Sequence, residues 1–306
     1  MTPILYCGVP LGAEVLRRAG FAPALSALGP RDLPGRRRLG RLLPNVWTMP
    51  NLGGDAFLAE VDRLRPEALL AFFWPKKIPK SLLSRVPAFG THPSLLPRHR
   101  GPDPYFWTLR QGETQTGVTL QRLVEAYDEG PIVATRRVPV RADDTAWSLA
   151  RRLDAPALEL LVATAAFLSR GWMPTGTPQP PGATQAPFPS AEDLRLDWNR
   201  PARELEALVR AASPQPGAQA LFADTPVEVV RAKAVDQAVP AGLRPAEAWR
   251  SEGMWFVRCA EGALRIDRLR DVEGRALEPG SLFERQRMHR GEKAGSVGIE
   301  AKDREH

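Results

Sequence analysis

The stretch "DAFLAEVDRLRPEALLAFFW", Asp55 to Trp74, carries two hydrophobic periods in succession. Phe57, Leu58, Val61 and Leu64 recur at three- and four-residue intervals, the stripe of an amphipathic helix. After Pro66 and Glu67 the chain turns continuously apolar, from Ala68 through Trp74. A strand with one wet face alternates polar and apolar residues, whereas a strand covered on both faces is apolar throughout. Helix followed by doubly covered strand is the repeating unit of a parallel sheet, and it predicts an α/β domain.

Working outward, "ILYCG" from Ile4 reads as a first strand of the same kind. "PLGAEVLRRAG" follows it as a helix with Leu11, Val15 and Leu16 on one face and a stop at Gly20. "APALSAL" and "NVWTMP" supply further strands, and "AFGTH", Ala88 to His92, another after a short helix. In outline this is a dinucleotide-binding architecture. However, "CGVPLGAE" lacks the G-x-G-x-x-G spacing that brings backbone close to a pyrophosphate, so an NAD site is not expected.

Beyond it, a strand from Val118, a turn at Asp128-Glu129-Gly130 and a strand from Ile132 precede a helix capped by Asp144 or Thr145. That helix either continues through Pro156 or restarts there. Prolines at 174, 178, 180, 181, 187 and 189 mark a semi-extended linker over residues 171–190. "NRPARELEALVRAA" is then a helix with Pro201 near its first turn. The short runs "VEVVRAKAV", "GMWFVRCA" and "GALRIDRL" suggest a small β-barrel or sandwich. The expected organisation is thus residues 1–170, a linker 171–190, a second domain 191–290 and a polar tail 291–306.

The chain has 306 residues and a formal net charge of +7, which leaves room for a polyanionic partner. Part of the excess lies in "RDLPGRRRLGR", Arg31 to Arg41, a basic run that reads first as solvated surface. No apolar run approaches the ~20 residues of a membrane span. "MTPILYCGVP" has no basic n-region or long apolar core, so a cytoplasmic location is expected, with Cys7 and Cys259 as reduced, buried thiols. No His/Cys/Asp cluster has metal-ligand spacing, and neither a P-loop nor G-x-S-x-G occurs.

The candidate for chemistry is His92, one of four histidines, placed at the carboxyl end of a predicted strand before "PSLLP". An imidazole gives and takes protons near neutrality, and open α/β sheets place ligands at this end of their strands. Two prolines stiffen the loop that follows. Asp128 is second: a turn carboxylate that could orient an imidazole or a water, or simply stabilise its own turn. His99, in "RHRG", reads as a solvated turn, His289 and His306 as tail residues, and Glu125 has no evident partner.

"HPSLLPRHRG" followed by "GETQTGVTLQRLVEAYDEGPIV" resembles the 10-formyltetrahydrofolate-dependent formyltransferase family. That signature reads Asn-x-His-x-Ser-Leu-Leu-Pro, then Arg/Lys-Gly, a strand and an Asp-x-Gly turn. "LRLDWNRPARELEALVRAASPQPGA" and "EGALRIDRLRDVEGRALEPGSLF" resemble the family's second domain in its methionyl-tRNA and sugar-nucleotide branches. The resemblance implies a Rossmann-like formyltransferase domain with a smaller C-terminal OB-like β-barrel. It implies a formyl group moving from 10-formyltetrahydrofolate to an acceptor amine, either methionyl-tRNA or an amino-sugar nucleotide. His92 and Asp128 would be catalytic, and Ser94, Leu95, Leu96 and Pro97 would line the folate site. Independently of the resemblance, the lack of a metal-ligand cluster and of a membrane-length apolar run predicts no metal and no membrane partner.

The sequence departs from the signature at Gly90, where the family has asparagine. Residues two apart on a strand share a face, so Gly90 predicts a hole beside His92 while Thr91 points away. Losing an oxyanion donor costs about 10²–10³ in rate. A folate-binding paralogue of weakened activity, or a 10-formyltetrahydrofolate hydrolase, are the alternative readings. "RGPDPYFW", where tRNA enzymes carry Ala-Ala-Pro-Ile after "RG", also turns attention to other amines.

Overall fold

The computed structural model describes residues 3–288 except 31, 223 and 237; Arg31, His289, His306 and the expected tail 291–306 lie outside the described residues. The chain forms two compact units that divide between Pro189 and Ser190.

In the first unit, β1 (Ile4–Gly8), α1 (Pro10–Arg18), β2 (Leu25–Leu28), α2 (Arg36–Leu42), β3 (Val46–Thr48), α3 (Asp55–Leu64) and β4 (Ala68–Phe72) alternate strictly. There follow α4 (Lys80–Leu83), β5 (Ala88–His92), α5 (Pro104–Arg110), β6 (Gln115–Arg122), β7 (Ile132–Pro139) and α6 (Ala146–Leu168). The seven strands form one sheet in the order β3-β2-β1-β4-β5-β6-β7. β1 to β5 are parallel, and β6 and β7 add to the edge antiparallel. Strand order therefore reverses between β1 and β4, the kind of position beside which such sheets bind ligands.

The expected apolar strands are buried at every position in β1, β2 and β4. Leu5, Cys7, Leu69, Ala71 and Ala88 share a core with Phe57, Leu58 and Val61 of α3, as the opening stretch required. α1 departs from expectation. Leu11 is exposed, and Gly12, Ala13 and Leu16 face the sheet. The helix lies close enough that a Cβ on Gly12 would stand 2.3 Å from the Tyr6 hydroxyl, so small residues share the packing face with Leu16 and set how closely the helix approaches. Thr145 is the cap of α6, closing a capping box with Ser148, and a single helix runs through Pro156.

The proline-rich stretch is extended but not free. Gln185 bridges to Arg100 and Thr177 to Ile132. Thr184 and Ala186 exchange backbone hydrogen bonds with Pro97, Arg100 and Asp103. It is a strap laid along the first unit.

The second unit contains α7 (Ala191–Leu194), α8 (Ala202–Ala211), β8 (Ala218–Phe222), β9 (Thr225–Val235), β10 (Ala248–Ser251), β11 (Met254–Arg258), β12 (Ala263–Arg270), β13 (Ala276–Leu277) and α9 (Pro279–Met288). Its strands form an antiparallel sheet, β10-β11-β12-β9-β8, with β13 paired to β12. Pro201 stands immediately before α8, whose Leu205, Leu208 and Val209 are buried. Cys7 in the first unit and Cys259 in the second are buried and unpaired; burial raises both thiols, Cys259 to about 12. No helix among the described residues is long and apolar enough to cross a membrane.

Candidate active site

His92 ends β5 with its side chain buried. Its Nδ1 lies 3.4 Å from Asp128 Oδ1, so the two residues singled out in the sequence do meet. Its Nε2 lies 2.7 Å from the His99 carbonyl oxygen. A carbonyl only accepts, so Nε2 carries hydrogen in either charge state, and the exchangeable proton sits on Nδ1, facing the carboxylate. Burial pushes the imidazole below its ordinary range, opposed by the Asp128 carboxylate and the His99 carbonyl; the His99 ring adds to the lowering.

Asp128 sits in the left-handed region, φ 55°, where aspartate is among the few residues tolerated. Its Oδ2 accepts from the Gly101 N–H at 3.0 Å, and its Oδ1 from Gln121 Nε2 at 2.7 Å. The strap holds the turn from behind. Gln179 Nε2 donates to the Asp128 and Gly130 carbonyls at 2.7 and 2.8 Å, and Gln179 Oε1 accepts from Arg100. Arg100 also pairs with Glu129 at 3.1 Å. Gly130 is required here, because a Cβ would fall 1.7 Å from the Arg122 carbonyl oxygen.

The loop after His92 is locked from inside. Thr119 Oγ1, fully buried on β6, donates to the Ser94 carbonyl at 2.7 Å and accepts from the Leu96 N–H at 3.0 Å. Ser94 Oγ donates to the Arg98 carbonyl at 2.6 Å. Ser94, Leu96 and Pro97 are buried and Leu95 is half-buried, so the hydroxyl of Ser94 serves the loop rather than its surroundings. The Leu96–Pro97 bond is cis.

Three expectations are corrected. His99 is not a solvated turn: it is buried, and its Nε2 meets Glu113 Oε1 at 2.8 Å, while Glu113 also pairs with Arg98. Arg36, in the basic run, is buried and donates to Thr48 Oγ1, which leaves Arg37, Arg38 and Arg41 as the exposed cations among its described residues. Finally, Gly90 does not leave a hole. Leu123 fills the space, its Cδ2 lying 3.0 Å from where a Cβ would be. Sequence reasoning missed Thr119, Gln121 and Gln179; the first two were signalled by polar residues recurring two apart in the otherwise apolar "TGVTLQRL".

At the rim, Phe73, Val124 and Tyr127 are exposed. Lys77 Nζ stands 5.9 Å from the Tyr127 ring, so the loops after β4 and β6 approach each other.

An α/β sheet with a buried His–Asp pair beside a locked, proline-bounded loop sets a pair able to hold and move a proton at a strand end, where enzymes of this architecture bind their ligands. Two family models match: formyl transferase over residues 40–165, and formyl transferase, C-terminal domain, over 190–287. The methionyl-tRNA formyltransferases of Halorhodospira halophila and Anaeromyxobacter dehalogenans are each 33% identical, over 94% of this chain and 98% and 99% of theirs. Among solved structures, the N-formyltransferase of Helicobacter canadensis with folinic acid and dTDP-3-aminofucose shares the fold at a TM-score of 0.67 and 12% identity, covering 90% of this chain and 100% of that one. HypX of Aquifex aeolicus with tetrahydrofolic acid gives 0.64 at 21% identity over 88% of this chain; the chain spans 44% of that structure. The chain belongs to the formyl transferase family, whose chemistry is one-carbon transfer.

Proposed function

We propose that the protein transfers the formyl group of 10-formyltetrahydrofolate to the amine of methionyl-tRNA, with His92 and Asp128 as its catalytic residues. The acceptor nitrogen attacks the formyl carbon, forming the new C–N bond and a tetrahedral oxyanion. The oxyanion collapses with cleavage of the bond to N10 of the folate. One proton leaves the acceptor nitrogen and one arrives on N10, and the His92 Nδ1–Asp128 Oδ1 pair, 3.4 Å apart, carries it between them. That pairing is the observation on which the reading rests. Ser94, Leu95, Leu96 and Pro97 form the stiff floor of the donor site. Phe73 and Tyr127 offer exposed aromatic faces to a flat pterin or aminobenzoyl ring.

The acceptor is argued from the second unit and from the full-length relatives. On its sheet, Lys233 stands opposite Arg265 and Arg231 opposite Arg268. Like charges directly opposed on a sheet repel, and Asp267, near Arg265 and Arg231, offsets only part of that. A polyanion relieves the rest. A cytoplasmic location accords with such an acceptor.

Incubation with 10-formyltetrahydrofolate and methionyl-tRNA should yield formylmethionyl-tRNA and tetrahydrofolate in equal amounts. Transfer only to an amino-sugar nucleotide would overturn the acceptor. Folate release without any amine would make the protein a hydrolase, and bound donor without turnover a folate-binding protein.

A further inference from the structure

β6 is paired with the strand that carries His92, and the residue opposite Gly90 is Gln121. Cross-strand partners share a face, so Gln121 rises from the sheet on the His92 side, where Gly90 contributes no side chain. It is 1% exposed. Its Nε2 donates at 2.7 Å to Asp128 Oδ1, the same oxygen that faces His92 Nδ1. A carboxylate only accepts, which fixes the amide nitrogen toward it. The other arm, Oε1, is buried without a hydrogen-bond partner among the described residues. A half-satisfied buried amide is less stable than an apolar side chain of its size. Packing therefore does not account for an amide here; the bond to Asp128 does.

We propose that Gln121 is a positioning residue for the His92–Asp128 pair, holding Asp128 Oδ1 against the imidazole from the sheet position opposite Gly90. The amide shares that oxygen's charge with the ring. Without it, the charge falls undivided on the imidazole and favours the imidazolium. The titratable groups facing His92 are Asp128 and His99, with Glu113 and Arg98 behind His99 and Arg100 and Glu129 around the Asp128 turn. None of them changes when Gln121 is replaced.

The kinetic consequence rests on the formyl-transfer reading; the titration does not. Gln121→Met keeps the length and removes the donor. It should lower kcat about tenfold, the low end for loss of an orienting partner, and move the acid limb of the pH–rate profile upward. Gln121→Glu can donate to Asp128 only while the new carboxyl is protonated, so its activity should fall as pH rises where the wild type stays active. Titration of the His92 ring by NMR, in wild type and in Gln121→Met with unfolding midpoints compared, reads the same effect without turnover, and the midpoint of the ring should rise. Unchanged titration in a folded Gln121→Met protein, or an unmoved pH profile in both variants, overturns the proposal. A wild type that titrates as expected but transfers no formyl group overturns the function alone.

Discussion

His92 is buried next to a carboxylate, and the larger of these opposing effects is burial, which favours the neutral ring. With the folded-state pKa depressed, the group's contribution to stability is present above its ordinary value of about 6.5 and is lost as pH falls below it. The same sign governs rate. If the neutral ring is the working base, the acid limb of kcat/KM should lie below about pH 6.5, as a pH series of initial rates would measure. Asp128→Asn removes the charge that opposes desolvation; the limb should move further to acid, and the rate should drop by about 10² or more. A limb above neutrality would place the titrating group elsewhere. Gly90 bears on packing at the same scale. Gly90→Asn must push Leu123 aside, since Cδ2 stands only 3.0 Å from the new Cβ, and should cost about 1–3 kcal/mol as an overpacked site. Leu123→Ala in the same chain should recover much of that cost, a coupling that a double-mutant cycle by denaturant unfolding would measure.

Among the elements, two devices fix the Asp128 turn and the loop after His92. Thr119 pins the segment from Ser94 to Leu96 from within the sheet, and Gln179 pins the Asp128 turn from the strap. The strap was legible as extended chain from its prolines, but its docking was not. Its partners, Arg100, Pro97 and Ile132, lie far away in sequence, and composition says nothing about which surface an extended segment covers. Gln179→Ala leaves two carbonyls of the turn without their donor. It should cost about 1–3 kcal/mol of stability and lower kcat more than it raises KM for the donor, because it loosens Asp128 and touches no substrate. Thermal unfolding and steady-state kinetics on the same preparation check both. An unchanged kcat would mean that Gly101 and Gln121 alone hold the carboxylate.

At the scale of the whole molecule, the chain joins a one-carbon-transfer unit to an antiparallel sheet with an opposed cationic ladder. Neutralising Arg231 and Lys233 should weaken tRNA binding uniformly across sequences and reduce the slope of log affinity against log salt by about one per cation removed from a phosphate. Filter binding across a salt series would test this, and a slope unchanged by both substitutions would move the nucleic-acid contact off this sheet. Arg36 would not belong in such a series, because its guanidinium is buried against Thr48.

What this sequence determined by itself was the alternation of strands and helices, the α/β class, the place of His92 at a strand end and the family. Each depends on periods of two or 3.6 residues, or on a short contiguous motif, and so is written in neighbouring residues. Only the tertiary structure decided that Leu123 fills the space at Gly90, that Glu113 and Thr184 bury the His99 turn, and that Gln121 and Gln179 hold Asp128. Those contacts join residues far apart in the chain through strand register and side-chain reach. No local pattern records them, because which side chain meets which is set only when the sheet pairs and the strap docks.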